Sequence, residues 1–340
     1  MAHTRISPYW PPNIDPTKAP IAFGERALPK LKEELQNPEL LTRQRALRAL
    51  TDLMHDPEFA YEAIALGFLD NLKVLLFDKD NTVRQSTTEV FSILATHNVG
   101  RNGFLRSEVI IPLSQLLDDP VDFCRRNVHK TFELLSELPD GAAGLVNANL
   151  VTQLVLKLRT ELEEIQELIL STLHFCVQVE AFQALNAGAV SVLKEKLSHS
   201  SVSIRSKAAR ALMGITIPLE GKNRVCDEDV IPLLVQLLKD QDAQVRANAA
   251  GALMNAIITT QGKYAALNAD AITALLPLVN DELSKVRLNA IKTLTSLSEA
   301  PEGRKVLLEN VDQLRGQLHD PSEAVRRATE IAIQTIQWKP

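Results

Sequence analysis

Aromatic side chains make up only 4% of the 340 residues. Strands favour aromatic and β-branched residues, so this scarcity, beside abundant Leu and Ala, points to an all-α chain. Cysteine is nearly missing. Cys124, Cys176 and Cys226 lie far apart and are odd in number, which excludes a disulfide framework or a clustered zinc site and fits a reducing compartment. No run of about 20 apolar residues occurs, so no segment is expected to span a membrane. The opening MAHTRISPYWPP lacks the apolar segment of a signal peptide, and an intracellular soluble protein is expected. Positive charge is not in excess. The net charge of −5 gives none of the basic footprint that nucleic acid requires. Phosphate loops are missing too, since the Gly-Lys pairs at Gly221 and Gly262 have no glycine-rich lead and no following Ser or Thr. No Ser-His-Asp or paired-carboxylate arrangement can be assembled. His174 and Cys176 are two apart on a helix and cannot face one site, and His55 in MHDPE reads as a helix-ending turn. The expectation is therefore no enzyme, no cofactor, no metal and no small-molecule substrate.

What is present is a period. Arg43, Arg84, Arg125, Gln166, Arg205, Arg246, Arg287 and Arg326 follow one another at steps of 41, 41, 41, 39, 41, 41 and 39. Gly100, Gly141, Gly221, Gly262 and Gly303 each lie 16 residues after such an anchor. Asp78, Asp119, Asp240, Asp281 and Asp320 lie six before the next one, with Asn37 at that place in the first unit. Three series in one register define eight units, the last one truncated.

Each unit reads as three helices. VIPLLVQLLKD is amphipathic at helical spacing, DQDA is a turn with capping residues, and VRANAAGALMNAI is a longer helix. TQG is expected to stop that helix, with Gly262 in a left-handed C′ position, before the short helix KYAALNAD. The recurrent Asp is expected to serve as a turn or N-cap residue. No unit can bury its apolar face alone, so the units should stack. The predicted fold is an armadillo/HEAT-type right-handed α-solenoid of about eight three-helix repeats over residues 27–340. The stretch Val245–Leu267 spends seven alanines and Gly251 where a core helix would carry larger groups. Small residues there, as at Ala46, Ala49, Ala208, Ala211 and Ala290, are expected where successive long helices pass closely. The unit at Gln166 is two residues short and acidic at its turn, which reads either as a solvated face or as a kink between two half-solenoids.

Residues 1–26 stand outside the array. Pro8, Pro11, Pro12, Pro16 and Pro20 prevent a helix. Tyr9 and Trp10 lie among them, and this tail is expected to dock on a partner or on the first units. Positions five and nine after each anchor are expected to line the open face of the long helices. Among them Arg48, Ile93, Lys130, Leu134, Phe175 and Arg210 are the candidate partner-binding residues, together with Tyr9 and Trp10. Importin-like peptide clamps repeat Trp and Asn at these positions, and only Asn255 fits. The stacking ladder of RNA-reading repeats is missing as well.

The VR..A..AL.N pattern resembles the armadillo consensus. A closer resemblance runs through IDPTKAP, LLTRQRAL, DLMHDPE, SIRSKAARAL, ANAAGALM, GKYAAL, EAPEGRK and EAVRRAT. These stretches are similar to the armadillo-repeat proteins of the radial spoke of motile cilia and flagella. That resemblance implies a non-enzymatic scaffold subunit in the cytoskeleton of the axoneme, with other radial spoke proteins as partners. A soluble armadillo-type adaptor that holds a peptide or cargo protein transiently is the alternative.

Overall fold

The computed structural model describes residues 27–338. Among the described residues there are eight long helices and no strand. The chain divides into two compact units at Ala148 and Asn149. The first carries the long helices Leu40–Leu53, Asn81–Leu94 and Asp122–Ser136. The second carries Glu163–Val179, Val202–Ile215, Ala243–Ala256, Ser284–Leu297 and Glu323–Gln337. Within each unit every long helix packs beside the next. Two shorter helices link them, such as Thr260–Asn268 followed by Ala271–Leu275. The fold is an all-α repeat array of the solenoid type. The Gln166 unit loses its residues from the first linking helix, which shrinks to Phe182–Asn186 while its long helix grows to 17 residues.

The alanine-rich helix explains itself by its neighbours. Ala247, Ala249, Ala250, Ala252 and Ala256 are wholly buried. A Cβ on Gly251 would stand 2.7 Å from Met213 Cε on one side and 3.1 Å from Asn289 Nδ2 on the other. The helix is thin because it is packed from both sides. Backbones then come close enough to bond through side chains of the next helix. Asn248 donates to Ser206 O at 3.0 Å, Asn289 to Ala247 O at 2.9 Å and Thr293 to Ala250 O at 3.3 Å.

The periodic arginine and aspartate form a ladder. Arg246 Nη1 donates to Asp240 O and Gln241 O, both at 2.9 Å, which closes its own turn. Its Nε donates to Asp281 Oδ2 of the next repeat at 2.8 Å. The same bond joins Arg43 to Asp78, Arg84 to Asp119, Arg205 to Asp240 and Arg287 to Asp320, at 2.6–3.0 Å. Each such Asp also accepts the N–H two residues on, as Asp281 does from Leu283. The recurrent Asp is thus a turn residue, but its second oxygen staples repeats together. The N-cap is a different residue two places later, namely Asp80, Ser201 or Asp242. Burial favours the neutral acid at Asp119, yet Arg84 and the Val121 N–H hold its carboxyl below the usual range. At Asp320 the Arg287 bond is the main cause of the same lowering.

The periodic glycine corrects the sequence expectation. Gly262 lies inside the helix Thr260–Asn268, in its first turn, and Thr259 caps its N–H. It has no positive φ and terminates nothing. A Cβ there would meet Ala256 O at 2.3 Å, and at Gly100, Gly141, Gly221 and Gly303 it would meet the corresponding carbonyl at 1.7–2.3 Å. The glycine lets the start of one helix press against the end of the long helix before it. The left-handed turns lie elsewhere, between the two linking helices, at Gly67, Glu108, Asn149, Gly188, Asp229 and Asp270. Lysines from the preceding repeat close several of these turns: Lys32 donates to Leu66 O, Lys73 to Ser107 O and Lys194 to Glu228 O.

Candidate partner-binding face

In the first unit, positions five and nine do not behave alike. Arg48, Lys130 and Leu134 are half-buried, while Ile93 is only 8% exposed and belongs to the core. Ile93 therefore offers no surface, because its side chain turns inward at the close of Asn81–Leu94. Lys130 is tied to Glu133 at 2.7 Å. Arg101 brackets the Leu134 region, donating to Leu134 O and pairing with Glu137 at 3.0 Å. A cavity of about 790 Å³ in this unit is lined by Phe104, Leu105, Ile110, Ile111 and Pro112. Tyr9 and Trp10, with the tail they belong to, lie outside the described residues.

In the second unit the candidates come together. Arg210 is exposed and its guanidinium stands 5.6 Å from the centre of the half-buried Phe175 ring. His174 meets the same ring edge-on at 5.0 Å. Its ring nitrogens face Arg210 O and the Gln178 amide. Burial, and then the Arg210 charge, push His174 down to about 4, so it is neutral at physiological pH. Lys285 lies near enough to add to that effect. Its own ammonium is pushed below the usual range, first by burial and then by Arg210. Lys292, five residues after the Arg287 anchor, is exposed two turns further along the same helix, Ser284–Leu297.

The sequence reading missed Lys285 and two exposed isoleucines, Ile217 and Ile258, each 12 residues after its anchor. Helical spacing does not reach the isoleucines, because the long helices end at Ile215 and Ala256. Asn255 spends its amide on Met213 O at 3.1 Å.

The three cysteines are buried. Burial pushes the thiols of Cys124 and Cys176 up to about 12, and raises Cys226 as well. A thiol that stays protonated is a poor nucleophile and a poor metal ligand. Among the described residues no three His, Cys, Asp or Glu side chains are grouped to hold a metal ion. No described helix is long and apolar enough to cross a membrane. The cavity of about 450 Å³ beside Arg205 and Asp240 of the ladder is lined as well by Leu197, His199, Leu233 and Leu237.

Residues 190–268 match the family model for HEAT repeats. An engineered protein solved by a structural genomics consortium matches the fold with a TM-score of 0.86 at 21% identity, over 92% of this chain and 79% of that one. A second engineered protein from the same source covers 91% of this chain and 96% of its own, with a TM-score of 0.43 and 18% identity. The family match and the first of these structures point to the same repeat fold, one suited to protein–protein interaction.

Proposed function

We propose that the chain is a non-enzymatic scaffold subunit of the axonemal radial spoke, binding other spoke proteins through its repeat surface and its N-terminal tail. The observation that carries this reading is the set of stretches, from IDPTKAP to EAVRRAT, that resemble the radial spoke head 14 homolog along most of the chain. The physical features are compatible with it. An array held by an ionic staple at five of its seven repeat junctions is suited to holding fixed partners, and its exposed residues on the open face are contact groups rather than a reaction centre. The tail places Tyr9 and Trp10 beside prolines that stiffen the chain and reduce the entropy lost on docking.

Extraction of isolated axonemes tests the proposal. A scaffold subunit stays with the axoneme through washes at high salt and leaves together with the other spoke proteins. A chain that washes off by itself, or that is found only in the soluble cytoplasm, is an adaptor, and the spoke reading fails.

A further inference from the structure

The second unit carries cations that nothing in it neutralises. Arg210, Lys285 and Lys292 are exposed, and none has a carboxylate within ion-pair distance among the described residues. Two acids of the unit are engaged by other groups, Glu167 with Lys207 and Ser203, and Glu299 with Lys263 at 2.5 Å. The charges are close enough to be felt, for Arg210 helps to depress the Lys285 ammonium. Such an arrangement stands out in a chain of net charge −5. It is also oriented. The Arg210 guanidinium lies over the Phe175 ring, 5.6 Å from its centre, and its N–H groups make no ion pair among the described residues of the unit. The same unit exposes apolar groups: Ile217 is 59% exposed and Ile258 is 58% exposed, one repeat apart and each just beyond the end of its long helix.

We propose that this face of the second unit docks an acidic protein segment that also carries apolar side chains. Its carboxylates pair with Arg210, Lys285 and Lys292, and its apolar residues cover Ile217, Ile258 and the Phe175 ring. Bringing a carboxylate to Arg210 and Lys285 relieves like-charge repulsion, so binding gains twice from the same contact. Nucleic acid fits less well. Its affinity comes from many phosphate contacts and stacking rings, and here there are three cations and one ring. The inference deepens the scaffold reading by naming the chemistry of a partner. It stands or falls separately, because axoneme extraction tests where the chain resides and the titration below tests what this face binds.

The test titrates the full chain against a fluorescent synthetic peptide with alternating glutamates and two phenylalanines, read by anisotropy. Saturable binding is expected, weakening as salt rises. The double variant Arg210→Glu/Lys292→Glu should weaken it about tenfold or more, while Lys239→Glu, an exposed lysine on a turn of the same unit, should leave it unchanged. Circular dichroism checks that the double variant is folded, and the milder Arg210→Gln/Lys292→Gln pair serves if it is not. The proposal is overturned if no saturable binding occurs, if the peptide with Gln for Glu binds equally well, or if Lys239→Glu weakens binding as much. It also fails if single-stranded DNA of equal charge binds more tightly than the peptide.

Discussion

A glycine inside a helix ordinarily marks a weak point, and replacing it with alanine gains about 1 kcal/mol. At Gly221 the sign should reverse. The added methyl would stand 1.7 Å from Ile215 O, with backbone rather than a flexible side chain in the way. Gly221→Ala is expected to cost about 1–3 kcal/mol through overpacking. Gly316 has open space around the same position, so Gly316→Ala should be neutral or stabilising by a few tenths to about 1 kcal/mol. Urea midpoints of the two variants check the contrast, and equal shifts would refute the close-approach account. His174 supplies a second test at this scale. Its folded pKa of about 4 lies below the ordinary 6.5. The unfolded chain therefore binds the extra proton between those values, and stability rises with pH through that window. The contribution is fully present above about 6.5 and is lost as the pH falls towards 4. His174→Gln should flatten the dependence of the urea midpoint between pH 7 and 5.

Between elements the Arg–Asp ladder does the joining, and its members are not interchangeable with other charges. Arg246 closes its own turn with one nitrogen and reaches Asp281 with two others. Arg246→Ala strands the mostly buried Asp281 carboxylate and frees two carbonyls, which should cost about 2–3 kcal/mol. Arg246→Lys should recover little of that, since one ammonium cannot repeat the fork. Chemical denaturation of both variants decides, and full rescue by lysine would reduce the ladder to simple charge attraction. Both members of this pair were visible in the sequence as separate series. What was not read is that the arginine of one repeat serves the aspartate of the next. The clue lay in the exceptions: Asn37 has no arginine upstream, and His199 follows the repeat whose anchor is Gln166. At these two the acid is missing where the cation is missing, while at Thr160 the acid is missing although Arg125 stands upstream. The left-handed turns could not be found by residue identity, because Gly, Glu, Asn, Gly, Asp and Asp occupy them in turn. Their period lives in the backbone alone. Glu108 is the odd member, since left-handed geometry costs an ordinary residue about 1–2 kcal/mol. Glu108→Gly should accordingly raise the melting temperature slightly, the relief exceeding the extra freedom glycine has when unfolded; a lower melting temperature would show that Glu108 makes up its strain by other contacts.

At the scale of the molecule the period, the helices and the eight long elements were legible because repetition multiplies a weak local signal. The partner face was legible only in part. Phe175 and Arg210 come together as position nine and position five of neighbouring helices, but Ile93 in the same register is core. A helix face is about as wide as one side chain's swing, so spacing alone does not separate its rim from its floor. Phe175→Glu tests that boundary and the partner chemistry at once. Phe175 is half-buried, with Arg210 above it. A carboxylate in its place would lie beneath the guanidinium and neutralise it from within the chain. The fold should survive, because the new charge is paired where it is introduced. Binding of an acidic segment should fall, because Arg210 is already occupied and the ring is gone. Incorporation into the axoneme, compared with Trp10→Ala, then separates the two contacts proposed for assembly. Trp10→Ala should weaken assembly by about 2 kcal/mol if the tail anchors in a partner, and should leave the melting of the isolated chain unchanged. If Phe175→Glu instead unfolds the chain, the ring is structural, and the contact face must be sought among Lys285, Lys292 and the isoleucines alone.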